Sequence, residues 1–317
     1  MTADQPPLPA PDADDLVVPL RAGERLAISR ALTEVERQSP TATRLIAALV
    51  PYLGKAVIVG ITGPPGAGKS TLVNALVRQV RAVGRRVGVL AVDPSSPVSG
   101  GAILGDRIRM TAALDDDGVF VRSLASRGAL GGLSTAAIRS IDILDGAGFD
   151  LVLVETVGTG QSEIDIADVT DVRLVLAAPG LGDDIQAMKS GLLEIADILV
   201  VNKGDRPDAE QTVQQLHGAV SLRAHDRPLP VLKTTATTGA GLDALMTAID
   251  ERAKVAHREP VAGRRRRRAR VVIARAAGDL ITERVRSGRD SKLADLADAL
   301  LAGHIDPRTA AEHLLSG

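Results

Sequence analysis

The sequence predicts an α/β fold: a mostly parallel sheet covered by helices on both faces, with helical extensions at the N- and C-terminal ends. Three observations predict it. Short runs rich in Val and Ile occur at 56–61, 87–92, 151–154, 174–178 and 198–201, with weaker candidates at 119–121 and 231–232. Longer stretches with apolar residues at helical spacing separate most of them, at 69–83, 103–114, 135–144, 209–224 and 242–255. The strand candidates are apolar throughout rather than alternating, as strands buried on both faces are. Finally, a glycine-rich turn joins the first strand candidate to the first long helix, which is where such sheets bind ligands.

The flanking segments follow from composition. Residues 1–15 are rich in Pro, Ala and Asp and read as a disordered tail. In 16–54 the spacing of Leu26, Ile28, Leu32, Leu45, Ile46 and Leu49 predicts a helical element, interrupted at Ser39-Pro40, with Thr41 or Thr43 as the cap of its second helix. The main domain is expected over 55–258. A helical arm is expected over 259–317, with helices at 271–285, 293–301 and 309–315.

Bulk properties narrow the function classes. The 317 residues are 45% hydrophobic and 24% charged, with a net charge of −1, so no global field recruits nucleic acid or an acidic membrane. Cysteine is absent, which removes disulfides, thiolate nucleophiles and thiolate metal sites. No apolar run approaches the ~18 residues of a membrane span, and the N-terminus lacks the basic and apolar regions of a secretion signal. The expected address is the cytoplasm. Tyr52, Phe120 and Phe149 are the entire aromatic supply, so Val, Leu, Ile and Ala must fill the core.

Two motifs carry the chemistry. Gly63-Pro64-Pro65-Gly66-Ala67-Gly68-Lys69-Ser70 fits G-x-x-x-x-G-K-[ST], with a strand before it and a helix, opening on Lys69, Ser70 and Thr71, after it. Glycines let backbone N–H groups turn onto phosphate oxygens, and the helix start adds its positive dipole end. Lys69 is expected to bridge the outer phosphates and Ser70 to ligate Mg²⁺. Downstream, Asn202-Lys203-Gly204-Asp205 follows the strand candidate 198–201. The Asp205 carboxylate accepts from guanine N1–H and the 2-amino group, donors that adenine lacks. Asn202 is expected to tie this turn to the phosphate loop, while the Lys203 stem covers the base. Within Thr235-Ala236-Thr237, a backbone N–H is expected at guanine O6. The paired motifs define a P-loop NTPase that selects GTP. A glycine-rich turn and a chance loop are the alternatives, and the flanking elements disfavour both.

The metal and γ-phosphate groups are read from strand ends. Glu155 closes the apolar strand 151–154, with Gly158 behind it to offer an N–H to the γ-phosphate. Asp93 closes 87–92, and Asp106 lies among Gly100, Gly101 and Gly105. With Ser70 and two phosphate oxygens in place, Asp93, Asp106 and Glu155 cannot all contact one six-coordinate Mg²⁺ at once. Asp93 and Asp106 also suit turn and helix caps. Thr159 stands where fast GTPases often carry a water-orienting Gln, and Gln161 is two residues on. Slow intrinsic turnover, accelerated by a partner, is the expectation.

Several segments resemble one family: 60–71, 91–110 (AVDPSSPVSGGAILGDRIRM), 151–164 (LVLVETVGTGQSEI), 178–191 (APGLGDDIQAMKSG) and 200–205. Together they are similar to the methylmalonyl-CoA mutase-associated GTPases (MeaB or ArgK type), within the metallochaperone-like P-loop GTPases. The resemblance implies GTP hydrolysis with Mg²⁺ and a homodimer built on the C-terminal arm. It also implies an adenosylcobalamin-dependent mutase as partner, whose cofactor loading the GTPase gates and which it protects or reactivates. It matches Lys69 and Ser70 to the phosphate loop, Asp93, Asp106 and Glu155 to the magnesium-linked acids, and Asn202, Lys203 and Asp205 to the guanine loop. It further makes 180–189 a partner-signalling loop with Asp183 and Lys189, and Arg109 nearby, as charged contacts. From the residues alone these three read as a solvated loop face. The family's C-terminal aromatics are missing here, and the N-terminal extension diverges.

Other readings stay in view. A nickel-delivery GTPase needs His and Cys clusters, and His217, His225, His257, His304 and His313 are scattered. A P-loop kinase conflicts with a guanine-selective Asp205. A nucleotide-sensing module without hydrolysis is the remaining class. The run Arg264–Arg268 has no interleaved aromatics for base stacking and reads as a solvated linker or helix start.

Overall fold

The structure, a computed structural model, describes residues 12–93, 116–125, 133–156, 162–180, 191–221, 228–288 and 291–315. The chain divides into a compact first unit that ends at Arg268 and a second that starts at Ala269.

Seven strands, counted among the described residues, form the sheet of the first unit: β1 (Val57–Thr62), β2 (Val87–Asp93), β3 (Val119–Ala125), β4 (Leu151–Thr156), β5 (Val172–Ala177), β6 (Ile198–Val201) and β7 (Val231–Lys233). Their spatial order is β3-β2-β4-β1-β5-β6-β7 and every pairing is parallel. Both weaker strand candidates are strands. Alternate residues feed opposite layers, which is why the strands read as continuously apolar. On one face Val59, Ile61, Leu153, Leu174 and Val200 pack with α4 (Lys69–Ala82) and α9 (Leu242–Ala256). On the other, Val175, Ala177, Leu199 and Val201 pack with Leu193 of α7 (Leu192–Ile195) and Leu216 of α8 (Ala209–Ser221). Short α7 and α6 (Ser162–Val169) were not expected from spacing, since helices so brief give little periodicity. The expected helix 103–114 lies outside the described residues.

Three helices precede the sheet: α1 (Ala13–Arg21), α2 (Arg25–Glu36) and α3 (Pro40–Leu49). The first begins inside the expected tail, because Asp14 and Asp15 favour its positive end while Leu16 and Leu20 bury its apolar stripe. The cap of α3 is Ser39, whose Oγ accepts from Ala42 N–H at 3.2 Å, with Pro40 in the first turn; neither Thr41 nor Thr43 is the cap. Of these, α2 and α3 rest on α5 (Thr135–Gly146), and α1 packs against both of them. Phe120 and Phe149 meet edge to face with centroids 6.5 Å apart.

The arginine run is a helix start, one of the two expected forms, but two of its side chains are buried rather than solvated. It forms the first turns of α10 (Val261–Ser287), and these turns belong to the first unit rather than to a solvated linker. Arg264 and Arg268 are 2% and 6% exposed. Arg264 donates to Gly54 O at 2.9 Å and pairs with Asp171 at 3.3 Å, while Arg268 lies 3.7 Å from Asp142. Burial pushes the Asp171 carboxyl up, yet the His257 imidazole at 3.5 Å, a hydrogen bond from Ile58 N–H and the charges of Arg264 and Arg268 bring it below the ordinary carboxylate value. For Asp142, burial prevails over its arginine neighbours and the value rises. The second unit holds the rest of α10, α11 (Ser291–Leu301) and α12 (Pro307–Leu315). No helix among the described residues is long and apolar enough to cross a membrane.

Candidate nucleotide site

The site lies at the carboxyl ends of the central strands, where β1 has β4 on one side and β5 on the other. β1 runs into the 63–68 turn, and Gly63, Gly66 and Gly68 take φ values of 141°, 79° and 88°. At Gly68 the reason is direct: a Cβ would stand 2.5 Å from Asn202 Nδ2. Ala67 is buried beneath the turn, and Ser70 and Thr71 follow Lys69 in the first turn of α4. Lys69 is only 7% exposed, and its Nζ donates to the carbonyls of Gly63 at 2.8 Å and Pro64 at 3.0 Å. Its ammonium is thereby held over the turn.

Parallel pairing sets Glu155 of β4 beside Ile61 of β1 and Ala91 of β2. This register brings the Glu155 carboxylate to the start of α4, where Ser70 Oγ donates to Oε1 at 2.6 Å. Beside it, Thr156 Oγ1 donates to Thr62 Oγ1 at 3.2 Å. Asp93 closes β2 at the same edge of the sheet. Asp106, Gly158 and Gln161 lie outside the described residues, as do Arg109, Asp183 and Lys189.

The second turn leaves β6 at Asn202, and its buried side-chain amide makes four hydrogen bonds. Nδ2 donates to Ala67 O at 3.1 Å and Gly68 O at 3.3 Å. Oδ1 accepts from Thr234 Oγ1 at 3.3 Å and Ala236 N–H at 3.2 Å. One amide thus joins the 63–68 turn, the 202–205 turn and the 234–237 loop. Lys203 takes φ 58°, a left-handed conformation uncommon for a residue with a side chain, and this turns the chain toward exposed Asp205. Gly204 N–H bonds Thr234 O at 2.9 Å. Thr235 N–H donates to Ala240 O at 2.9 Å, and Ala236 N–H is taken by Asn202. Of the three amides expected at the base, only that of exposed Thr237 lacks an acceptor among the described residues.

A lysine held in a glycine-rich turn that Asn202 joins to a guanine-type loop is the arrangement of a P-loop GTPase. The chain belongs to the methylmalonyl Co-A mutase-associated GTPase MeaB family, which matches residues 28–290. It is therefore a GTPase that binds guanine nucleotide. A relative from Pyrococcus horikoshii is 43% identical over 309 residues, spanning 95% of this chain and 97% of its own. The GTPase ArgK of Escherichia coli is 41% identical over 240 residues, 73% of this chain and 72% of its own. A crystal structure of an LAO/AO transport system kinase superposes with a TM-score of 0.72 at 28% identity, covering 96% of both chains.

Proposed function

We propose that this GTPase gates adenosylcobalamin loading onto a cobalamin-dependent acyl-CoA mutase, methylmalonyl-CoA mutase by family, and protects or reactivates that enzyme. The observation that supports the reading is the Asn202 amide, which ties the phosphate turn to the base turn in a chain of the mutase-associated family. The phosphate chain lies along the 63–70 turn, with Lys69 against its outer oxygens. Asp205 reads the guanine N1–H and 2-amino donors, and Thr237 N–H meets O6. The donor set suits Mg²⁺: Ser70 and Glu155 supply hard oxygen ligands side by side, with Asp93 at the same edge of the sheet. When bound, the metal neutralises charge on the phosphate oxygens. The chain's own contribution is to orient the phosphates and stabilise the charge that develops on them.

Exposed apolar residues of the second unit, among them Ile273, Leu280 and Leu301, support a homodimer built on the C-terminal arm. The nickel-delivery reading has no cysteine to draw on, and among the described residues no three His, Asp or Glu side chains form a metal-holding group. The kinase reading leaves Asp205 without a task.

Lys69→Ala is expected to slow single-turnover GTP hydrolysis by about a hundredfold; unchanged turnover removes the phosphate-site assignment. For the partner, the full chain loaded with a non-hydrolysable GTP analogue should retain methylmalonyl-CoA mutase in a binding assay. The purified mutase should in turn speed phosphate release, which is expected to be slow without it. Failure of both measurements refutes the mutase reading.

A further inference from the structure

At the opposite, amino-terminal edge of the sheet lies a cleft of about 610 Å³ lined in part by Gly23, Arg25, Arg81, Arg86, Asp117 and Gly118. Its three arginines come from three places in the chain: the start of α2, the last turn of α4 and the residue before β2. None belongs to the nucleotide site.

Each guanidinium is fixed by part of its donor set. Arg25 Nη1 donates to the carbonyls of Asp116 at 3.1 Å and Val119 at 2.7 Å. Arg81 Nε donates to Asp116 Oδ2 at 2.8 Å and its Nη1 to Arg85 O at 2.7 Å. Arg86 Nη1 donates to Ala147 O at 2.9 Å, and the guanidinium carbon stands 4.5 Å from the centroid of the Phe149 ring. A guanidinium carries donors on all three nitrogens. In all three residues Nη2 has no acceptor among the described residues.

Backbone without side chains lets these groups sit where they do. A Cβ on Gly118 would overlap the Arg81 guanidinium, and one on Gly23 would lie 2.6 Å from Arg86 Nη2. The local charge is mixed: Arg81 is paired with Asp116 at 2.8 Å, and beside Arg86 the charge of Asp150 outweighs that of Arg81. Burial lowers the Arg86 pKa, Asp150 opposes this, and neighbouring Arg81 lowers it further. The first turn of α2 contributes N–H groups, since Glu24 at its cap position makes no side-chain cap. Glu24 and Asp117 are exposed and make no ion pair among the described residues, so they oppose an anion, and only Arg81 of the three arginines is ion-paired there, with Asp116.

We propose that this cleft is a binding site for a phosphoryl anion, held by Arg25, Arg81 and Arg86. Among the described residues, each of the three guanidinium groups keeps an uncommitted Nη2, a charged donor of the kind that phosphate oxygens accept from. The volume admits either the free ion or a phosphate carried on a larger molecule, and the test separates the two.

The full chain, saturated with GDP and Mg²⁺ so that the P-loop is filled, is titrated by calorimetry at constant ionic strength. One arm uses inorganic phosphate and the other glucose 6-phosphate as a simple phosphomonoester. Saturable binding of either is expected, with the tighter ligand identifying the source. Arg86→Gln should weaken it by about tenfold, the loss of one charge-assisted contact. Asp117→Asn, at an exposed position, should leave the fold intact and tighten binding by about threefold by removing a repelling charge. GDP affinity should not change in either variant. Absence of saturable binding in both arms overturns the proposal. So does binding that Asp117→Asn leaves unchanged, whatever becomes of the Arg86 variant.

Discussion

Replacing Asp205 with asparagine should lower GTP affinity by about a thousandfold and improve binding of xanthosine triphosphate. The carboxylate offers acceptors to both guanine donors, N1–H and the 2-amino group. An amide keeps one acceptor and turns an NH₂ group on the other donor, so one hydrogen bond is lost and a repulsive contact replaces it. Xanthine carries a carbonyl at that position and accepts from the new amide. Competition against a fluorescent guanine nucleotide reads both affinities. Asp205 is exposed at the end of its turn, so the variant should fold normally. A GTP affinity equal to that of the unmodified protein would remove the base-site assignment.

The second large effect falls on stability. Arg264→Ala should cost about 3–5 kcal/mol at neutral pH, because it strips the guanidinium from a buried carboxylate and from a backbone carbonyl. The pH dependence has a definite sign. Asp171 has a folded-state value below its unfolded one, so its stabilisation is fully present above the unfolded value, near 3.9, and is lost as pH falls through the folded value. Removing Arg264 raises the folded value and shrinks that contribution. Denaturant titrations at pH 7 and at pH 3 should therefore differ between the two proteins most at pH 7. A gap below about 1 kcal/mol at pH 7, or one that widens on acidification, contradicts the buried-pair account.

Much of this geometry was legible in the residues. The strands of the sheet were readable because parallel strands buried on both faces leave unbroken apolar runs, as in 151–154 and 198–201. The turns were readable because φ near 80° at Gly66 and Gly68 demands glycine in a fixed pattern. What escaped has physical causes too. Arg264 and Arg268 stand four apart, on one face of a helix, but an arginine run looks alike whether it meets water or buried carboxylates far away in sequence. Asp171 and Asp142, which decide the matter, carry no local signal of burial. Ser39 does not stand out as a cap because two threonines beside it are equally good in composition; only the position of Pro40 in the first turn singles it out. The partial use of the three amides at 235–237 is a tertiary fact, set by Asn202 and Ala240.

The four bonds of the Asn202 amide have an implication for kinetics. On the nucleotide placement proposed above, a single side chain clamps the two turns together within the protein itself, so the spacing between the triphosphate and purine ends works as a ruler cut during folding. The ordering of those two turns is then complete before the nucleotide arrives, which favours quick capture and places discrimination among nucleotides in how fast each one leaves.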